Sequence, residues 1–333
     1  MASRVKFYGV RGSIPSPLTH GQLLPKFEKL MAEFVAIGRD PAQWGDFLKE
    51  KTPLTYGGNT SCVLLECDGH IFVLDMGTGL RVLGNDLFGL MMKAKGLEVT
   101  FVCSHVHWDH IQGLPFFGPL FINKATRIEN RWHFMGGSMW QGNAQQCLAG
   151  QMDAPTFPVS WDEIKAITTE IRFSDLHDRL SVTPVDGGPR VTFGKLDHPQ
   201  DTYGSRFELP SGIVAYTTDN EPRDPNVPDP RLLRLADGAR FWITDCQYSQ
   251  HQYNGHPQHG GVPRHGWGHS YPQAVATTAV AAKVGTVILF HHDPMSTDER
   301  IEALRAETQE LIKQMGGNST VIAAWEGLEI PLD

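Results

Sequence analysis

Five times along the chain, a short apolar run stops on a residue of the kind that binds metals. IFVL ends at Asp75, VTFVCS at His105, VTFGKLD at His198, VAYTT at Asp219 and VILF at His291. Apolar runs of this length, bounded by polar and turn residues, read as buried strands. In an open sheet, functional groups gather where strand ends meet loops. The five ends are therefore expected to converge on one edge of an α/β architecture. Taken singly, each has a structural alternative: Asp75 could cap the turn that follows it, and Asp219 could be an Asx-turn residue.

The densest of the five is SHVHWDHIQGLPFF, where His105, His107, Asp109 and His110 lie within six positions. Alternation at a strand end points His105 and His107 the same way. The turn that follows can bring Asp109 and His110 round to a second centre. Imidazole and carboxylate together suit Zn²⁺ first, with Mn²⁺ or Fe²⁺ as alternatives. Solvated loop histidines are the bland reading, and four ligand-type residues packed behind an apolar strand argue against it.

The rest of the chain supplies strands and helices in both halves. Strands are expected at Val5–Val10, Ser61–Glu66, His70–Leu74, Leu180–Val185, Arg190–Leu196, Gly212–Thr217 and Phe241–Asp245, besides those named above. Asp68-Gly69 marks a hairpin. Helices are expected over Leu24–Ile37, from DMGTGL to about Lys95, in SYPQAVATTAVAAKVG and from Thr297 to Met315. Gln112 to Ile167, rich in Phe, Trp, Pro and Gly, reads as a loop with short helices covering one side of the site. The intermixing favours a single domain over residues 1–333, with inserts near 13–55 and 112–167. The first insert is either a lid or homodimer contact or a plain packing element.

Composition narrows the partners. The formal charge is -8 with no Lys/Arg-rich run, so long nucleic acid is a weak expectation and a small molecule a better one. An anionic substrate stays open, because bound cations dominate a local field. The five cysteines are odd in number and lack a C-x-x-C pair, which fits reduced thiols in a cytoplasmic protein. No signal peptide or membrane-length apolar run is visible.

The order HxHxDH, then a lone His, a lone Asp and a lone His, led by Asp75 in DMGTG, resembles the metallo-β-lactamase superfamily from about Lys6 to Pro294. KFYGVRGSIP, TYGGNTSC, GLPFF, GWGHS and LFHHDP look like its phosphodiesterase branch, with tRNase Z-like, cyclic-phosphate and cyclic-nucleotide enzymes. The resemblance implies a four-layer αββα sandwich and two divalent ions. His105, His107 and His198 would hold the first ion, and Asp109, His110 and His291 the second. Asp219 would bridge them, and Asp75 would orient a ligand histidine. His269 would contact the phosphate and protonate the leaving oxygen. VILFH matches the family spacing with His291, which leaves His292 a structural part. The chain departs from the branch in its extra histidines, His251, His256, His259 and His265, and in lacking the basic arm with which tRNase Z grips tRNA.

The implied function is hydrolysis of a phosphodiester in a small anionic substrate, cyclic nucleotides first. Hydrolysis of carboxylic, thiol or lactone esters is the second reading, and a non-enzymatic sensor the third. Phe116, Phe117, Trp132, Phe134 and Trp140 are candidates for stacking on a base, with core or lid packing as the alternative.

Overall fold

The computed structural model describes residues 3–139 and 142–333; Trp140 lies outside them. The first sheet is built from β1 (Arg4–Gly9), β2 (Cys62–Cys67), β3 (His70–Leu74), β4 (Glu98–Val102), β5 (Arg131–Met139), β6 (Gly142–Asn143) and β7 (Glu170–Leu176). The second takes β8 (Ser181–Val182), β9 (Arg190–Lys195), β10 (Tyr203–Leu209), β11 (Gly212–Thr217), β12 (Phe241–Asp245), β13 (Thr286–Phe290) and β14 (Thr320–Ala323). A last strand, β15 (Glu329–Pro331), returns to pair with β1.

The helices are α1 (His20–Ala36), α2 (Trp44–Glu50), α3 (Gly79–Ala94), α4 (Trp108–Ile111), α5 (Ala144–Gly150), α6 (Trp161–Ile167), α7 (Pro230–Ala236), α8 (Gln250–Tyr253), α9 (Pro272–Ala281) and α10 (Asp298–Gln314). The insert near 13–55 thus contains α1 and α2.

The first sheet runs β15-β1-β2-β3-β4-β5, with β7 beside β5 in parallel and β6 hairpinned to its end. The second runs β14-β13-β12-β11-β10-β9-β8. Val5, Phe7, Phe72, Phe193, Phe207 and Phe290 interlock between the two sheets. On the outer face of the first, α3 lays down Leu80, Leu83, Leu87 and Met91, spaced as one helical stripe, on Val73 and Phe101. On the outer face of the second, Leu232, Val275, Ala279 and Ile301 cover Trp242 and Val287. The layers are therefore α, β, β, α, as the motif order implies. Among the described residues no helix is long and apolar enough to cross a membrane. All five cysteines are free thiols.

Local chemistry sets the joints. Asp68 and Gly69 both take positive φ, 49° and 85°, the two-residue turn that matches strand twist. At α10, the Thr297 hydroxyl accepts from the Arg300 N–H while Asp298 and Glu299 sit in the first turn, where the helix dipole favours negative charge.

One expectation is overturned. The stretch from Gln112 to Ile167 is more than a loop with short helices, because it contains β5, an interior strand of the first sheet. Its Gly136-Gly137 pair imitates a loop signal for a packing reason. A Cβ on Gly136 would lie 2.4 Å from the Ala144 Cβ, and one on Gly137 would lie 2.3 Å from the Tyr203 ring. β7, β10 and α7 are likewise additions to the expected elements, and the strand expected at Leu180–Val185 shrinks to Ser181–Val182. Phe117, Trp132 and Phe134 are core residues, each exposed by 1% or less, whereas Phe116 faces solvent.

Phe134 is sandwiched between Phe101 at 4.7 Å and Phe173 at 5.2 Å between ring centroids. Replacing it with Ala is expected to destabilise the protein by about 3–5 kcal/mol in a denaturant titration. A loss below about 1 kcal/mol would place β5 outside the core.

Candidate metal centre

Parallel pairing aligns the C-terminal ends of β3 and β4 in one sheet and of β11, β12 and β13 in the other. β9 is two antiparallel steps from β11 and so points the same way. All six strands deliver their end residues to one edge of the sandwich. Three of those residues bend sharply out of their strands: Asp75, Asp219 and His291 have φ of 59°, 53° and 58°. Left-handed backbone at a non-glycine residue costs free energy and tends to mark functional positions.

The side chains converge as two groups joined by one carboxylate. In the first, His105 Nε2 lies 2.9 Å from His107 Nδ1, and His198 Nε2 lies 3.1 Å from that same nitrogen. In the second, His291 Nε2 is 3.0 Å from Asp109 Oδ2 and 3.2 Å from His110 Nε2. Asp219 divides its oxygens between them. Oδ2 faces His105 and His198 at 3.6 and 4.0 Å, and Oδ1 faces His110 and His291 at 3.4 and 3.3 Å. The seven candidate ligands are thus brought together, His105, His107 and His198 on one side of Asp219 and Asp109, His110 and His291 on the other.

Behind them, further groups fix each ring. Asp75 Oδ2 accepts from the Ser104 and Tyr216 hydroxyls at 2.8 and 2.7 Å and holds His110 Nδ1 at 2.8 Å. This leaves His110 Nε2 directed at the second group. His198 Nδ1 donates to the Gly268 carbonyl at 3.1 Å, and His291 Nδ1 to Gln247 Oε1 at 3.2 Å. Tethering the far nitrogen of a ligand imidazole in this way selects its tautomer and aim. His292 is different: its Nε2 donates to the Ala324 carbonyl at 2.9 Å, and burial pushes its pKa down to about 3. It is a neutral structural histidine, and His291 is the one that faces the cluster.

The donor set fits divalent cations. Burial holds His105 well below its ordinary range and His107 at about 4, so both stay in the neutral form that metals bind. Burial also disfavours charge on His110, but the carboxylates of Asp109, Asp219 and Asp75 outweigh it and raise its pKa. Those three buried carboxylates demand positive charge, which bound ions would supply. The donor atoms of His105, His107, His198 and Asp219 lie within 4.8 Å of one another, as do those of Asp109, His110 and His291.

Two features lay outside the sequence reading. Asp245, at the end of β12, binds His269 Nδ1 at 2.6 Å and accepts from the Ser270 N–H at 3.0 Å. Its position at an apolar strand end was the available signal. Asp219, Asp245, His269 and His291 also lie within 4.8 Å of one another. The other feature is the RGS turn after β1. Gly12 N–H donates to the His292 carbonyl at 2.9 Å and Ser13 N–H to Asp109 Oδ2 at 2.7 Å. A Cβ at Gly12 would lie 2.4 Å from the His291 ring. In the 247–268 segment, His265 stacks on Tyr253 at 4.4 Å, and the rings of His251 and His256 lie 5.4 Å apart.

An αββα sandwich carrying such a His/Asp cluster on one strand-end edge defines a protein of the metallo-β-lactamase type. The chain belongs to that superfamily: residues 91–292 match the sequence model of the beta-lactamase superfamily domain, whose members are metal-dependent hydrolases. Its fold is similar to that of YhfI from Bacillus subtilis, a metallo-beta-lactamase fold protein (TM-score 0.60, 16% identity, 99% of each chain covered). Human tRNase Z, short form, is similar at TM-score 0.55 and 16% identity over 99% of each chain. Unliganded yeast PDE1 is similar at 0.59 and 12% over 99% of each chain. No curated protein sequence matches the chain.

After loading, elemental analysis is expected to find about two divalent ions per chain. H291A and D109N should each fall to about one, while H292Q keeps both. Loss in H292Q equal to that in H291A would contradict the assignment.

Proposed function

We propose that the protein hydrolyses a phosphodiester bond in a small anionic substrate, with cyclic nucleotides the first candidates. The reading takes His105, His107, His198, Asp109, His110, His291 and Asp219 as holding two divalent ions, zinc first. Such ions would neutralise charge developing on the phosphoryl oxygens and activate a water for attack.

The observation that carries the phosphodiester reading is the Asp245–His269 pair. Burial opposes charge on His269, but the adjacent Asp245 carboxylate and the more distant Asp219 outweigh it, so its pKa rises to about 8. The Asp245 carboxylate thus favours the protonated ring. Nδ1 is committed to Asp245, which leaves Nε2 to present a proton. The His269 ring lies against His291 at 5.1 Å and 24° and meets Tyr248 edge-on at 5.8 Å. It is thus fixed beside the second ligand group.

A held proton donor serves a reaction that expels an alkoxide. The chain's overall negative charge and its lack of a basic arm favour a small substrate over tRNA. The likeness to tRNase Z and yeast PDE1 is one of fold; it supports the phosphodiester reading and does not bear on substrate size.

Metal-loaded protein is expected to turn over bis(p-nitrophenyl) phosphate. H269A should lose about 10²–10⁴-fold in kcat on a diester with an alkyl leaving group. With p-nitrophenoxide, which leaves unprotonated, it should lose less than about tenfold. No turnover of either ester, together with brisk lactone opening, would overturn the proposal.

A further inference from the structure

Large apolar side chains beside a buried polar cluster are expected to be covered, yet Trp108 is 80% exposed. It sits between His107 and Asp109 on the first turn of α4. Next to it opens a cavity of about 550 Å³, lined among others by Trp108, Ile111, Gln112, Phe116, Gln151 and Phe157. Phe116 is 61% exposed and meets the half-buried Phe157 edge-on at 5.9 Å. Single exposed apolar residues are ordinary on a protein surface. Here two exposed aromatics border one cavity that begins at the ligand run itself.

The chemistry of the wall selects its occupant. No lining residue is charged, so the phosphoryl group and its counter-ions belong to the cluster and not here. The apolar share combines the rings of Trp108, Phe116 and Phe157 with the aliphatic Val106, Ile111 and Pro115, and the rings favour stacking on another ring. The polar share is amide and hydroxyl: Gln112, Gln151 and Thr156. The Gln151 Nε2 is buried without a hydrogen-bond partner among the described residues.

A second cavity, of about 420 Å³, borders the cluster at His198 and is lined by Gly268, Tyr253 and the charged side chains of Asp197, Glu221 and Arg223. It is suited to a polar substituent and adjoins His269. The two cavities thus differ in charge: the first has no charged lining residue and the second has three.

We infer that the Trp108–Phe116–Phe157 cavity seats an uncharged flat ring with hydrogen-bonding edges, of nucleobase type, carried by one substituent of the phosphate. This rests on the phosphodiester reading for the phosphate's place, and it assigns the specificity of that site to residues outside the ligand set.

The test is calorimetry on the metal-loaded full chain with adenosine 5′-monophosphate, ribose 5-phosphate and octyl phosphate. The nucleotide should bind about tenfold more tightly than ribose 5-phosphate, in the range that stacking on an aromatic side chain gives. W108A and, independently, F116A should cut that ratio below about threefold while leaving ribose 5-phosphate within twofold. F116A is the safer variant, since Phe116 is removed from the ligand run, and metal content is measured for both.

Equal affinities for the two sugar phosphates in the wild type overturn the inference, as does a ratio that survives both substitutions. Octyl phosphate binding as tightly as the nucleotide overturns the assignment to a flat ring. Turnover of bis(p-nitrophenyl) phosphate reports separately on the chemistry. A protein that prefers the nucleotide without hydrolysing the diester keeps the cavity assignment and loses the phosphodiesterase reading; the converse result does the reverse.

Discussion

Four aspartates withdrawn from water, Asp75, Asp109, Asp219 and Asp245, set the terms for everything around them. An isolated buried carboxylate is strongly disfavoured, so each must be met by donors or cations placed to fractions of an ångström. Asp75 is met by a backbone amide, two hydroxyls and an imidazole. Asp245 is met by His269 and by the backbone amides of Gln247 and Ser270. Asp109 and Asp219 are met mainly by histidines whose tautomers favour receiving a metal. The same low-polarity setting that makes these groups costly makes their mutual interactions strong.

The sandwich answers that demand by geometry. Strand ends from two facing sheets can place residues on both sides of a point, which one sheet edge cannot do. Asp219 is central to this arrangement, since each of its oxygens faces a different group of histidines. The left-handed turns at Asp75, Asp219 and His291 let a strand stop and aim its last side chain across the edge. The inter-sheet core, with Phe7, Phe72, Phe207 and Phe290 interlocked, keeps the two edges in register.

Much of the site was legible in the sequence, because a buried strand that stops on Asp or His is an unusual pattern and it recurs. Asp245 shows the limit of that rule. It ends FWITD just as Asp219 ends VAYTTD, but its partner His269 lies two dozen residues on, and only folding pairs them. The hairpin at Asp68-Gly69 and the four long helices follow from local signals. β5 was hidden because close packing against Ala144 and Tyr203 requires glycines, and glycines imitate loops. β10, with Gly204 and Arg206 in its run, was hidden by a similar conflict between local propensity and its place in the sheet. His291 was legible from the VILFH spacing, whereas the partner that ties down His292, the Ala324 carbonyl just past β14, was not.

The turn after β1 carries a consequence for how the molecule is put together. Gly12 and Ser13 touch His292 and Asp109, so the rim of the second ligand group is closed by residues from near the start of the chain against residues from near its end. Contacts of such long sequence separation are slow to form, because the intervening chain must first be ordered. The contact between Gly12 and His292 joins the end of β1 to the end of β13, so it exists only once the two sheets have met. The second ligand group is therefore complete only in the finished fold, and a half-assembled chain offers at most part of it.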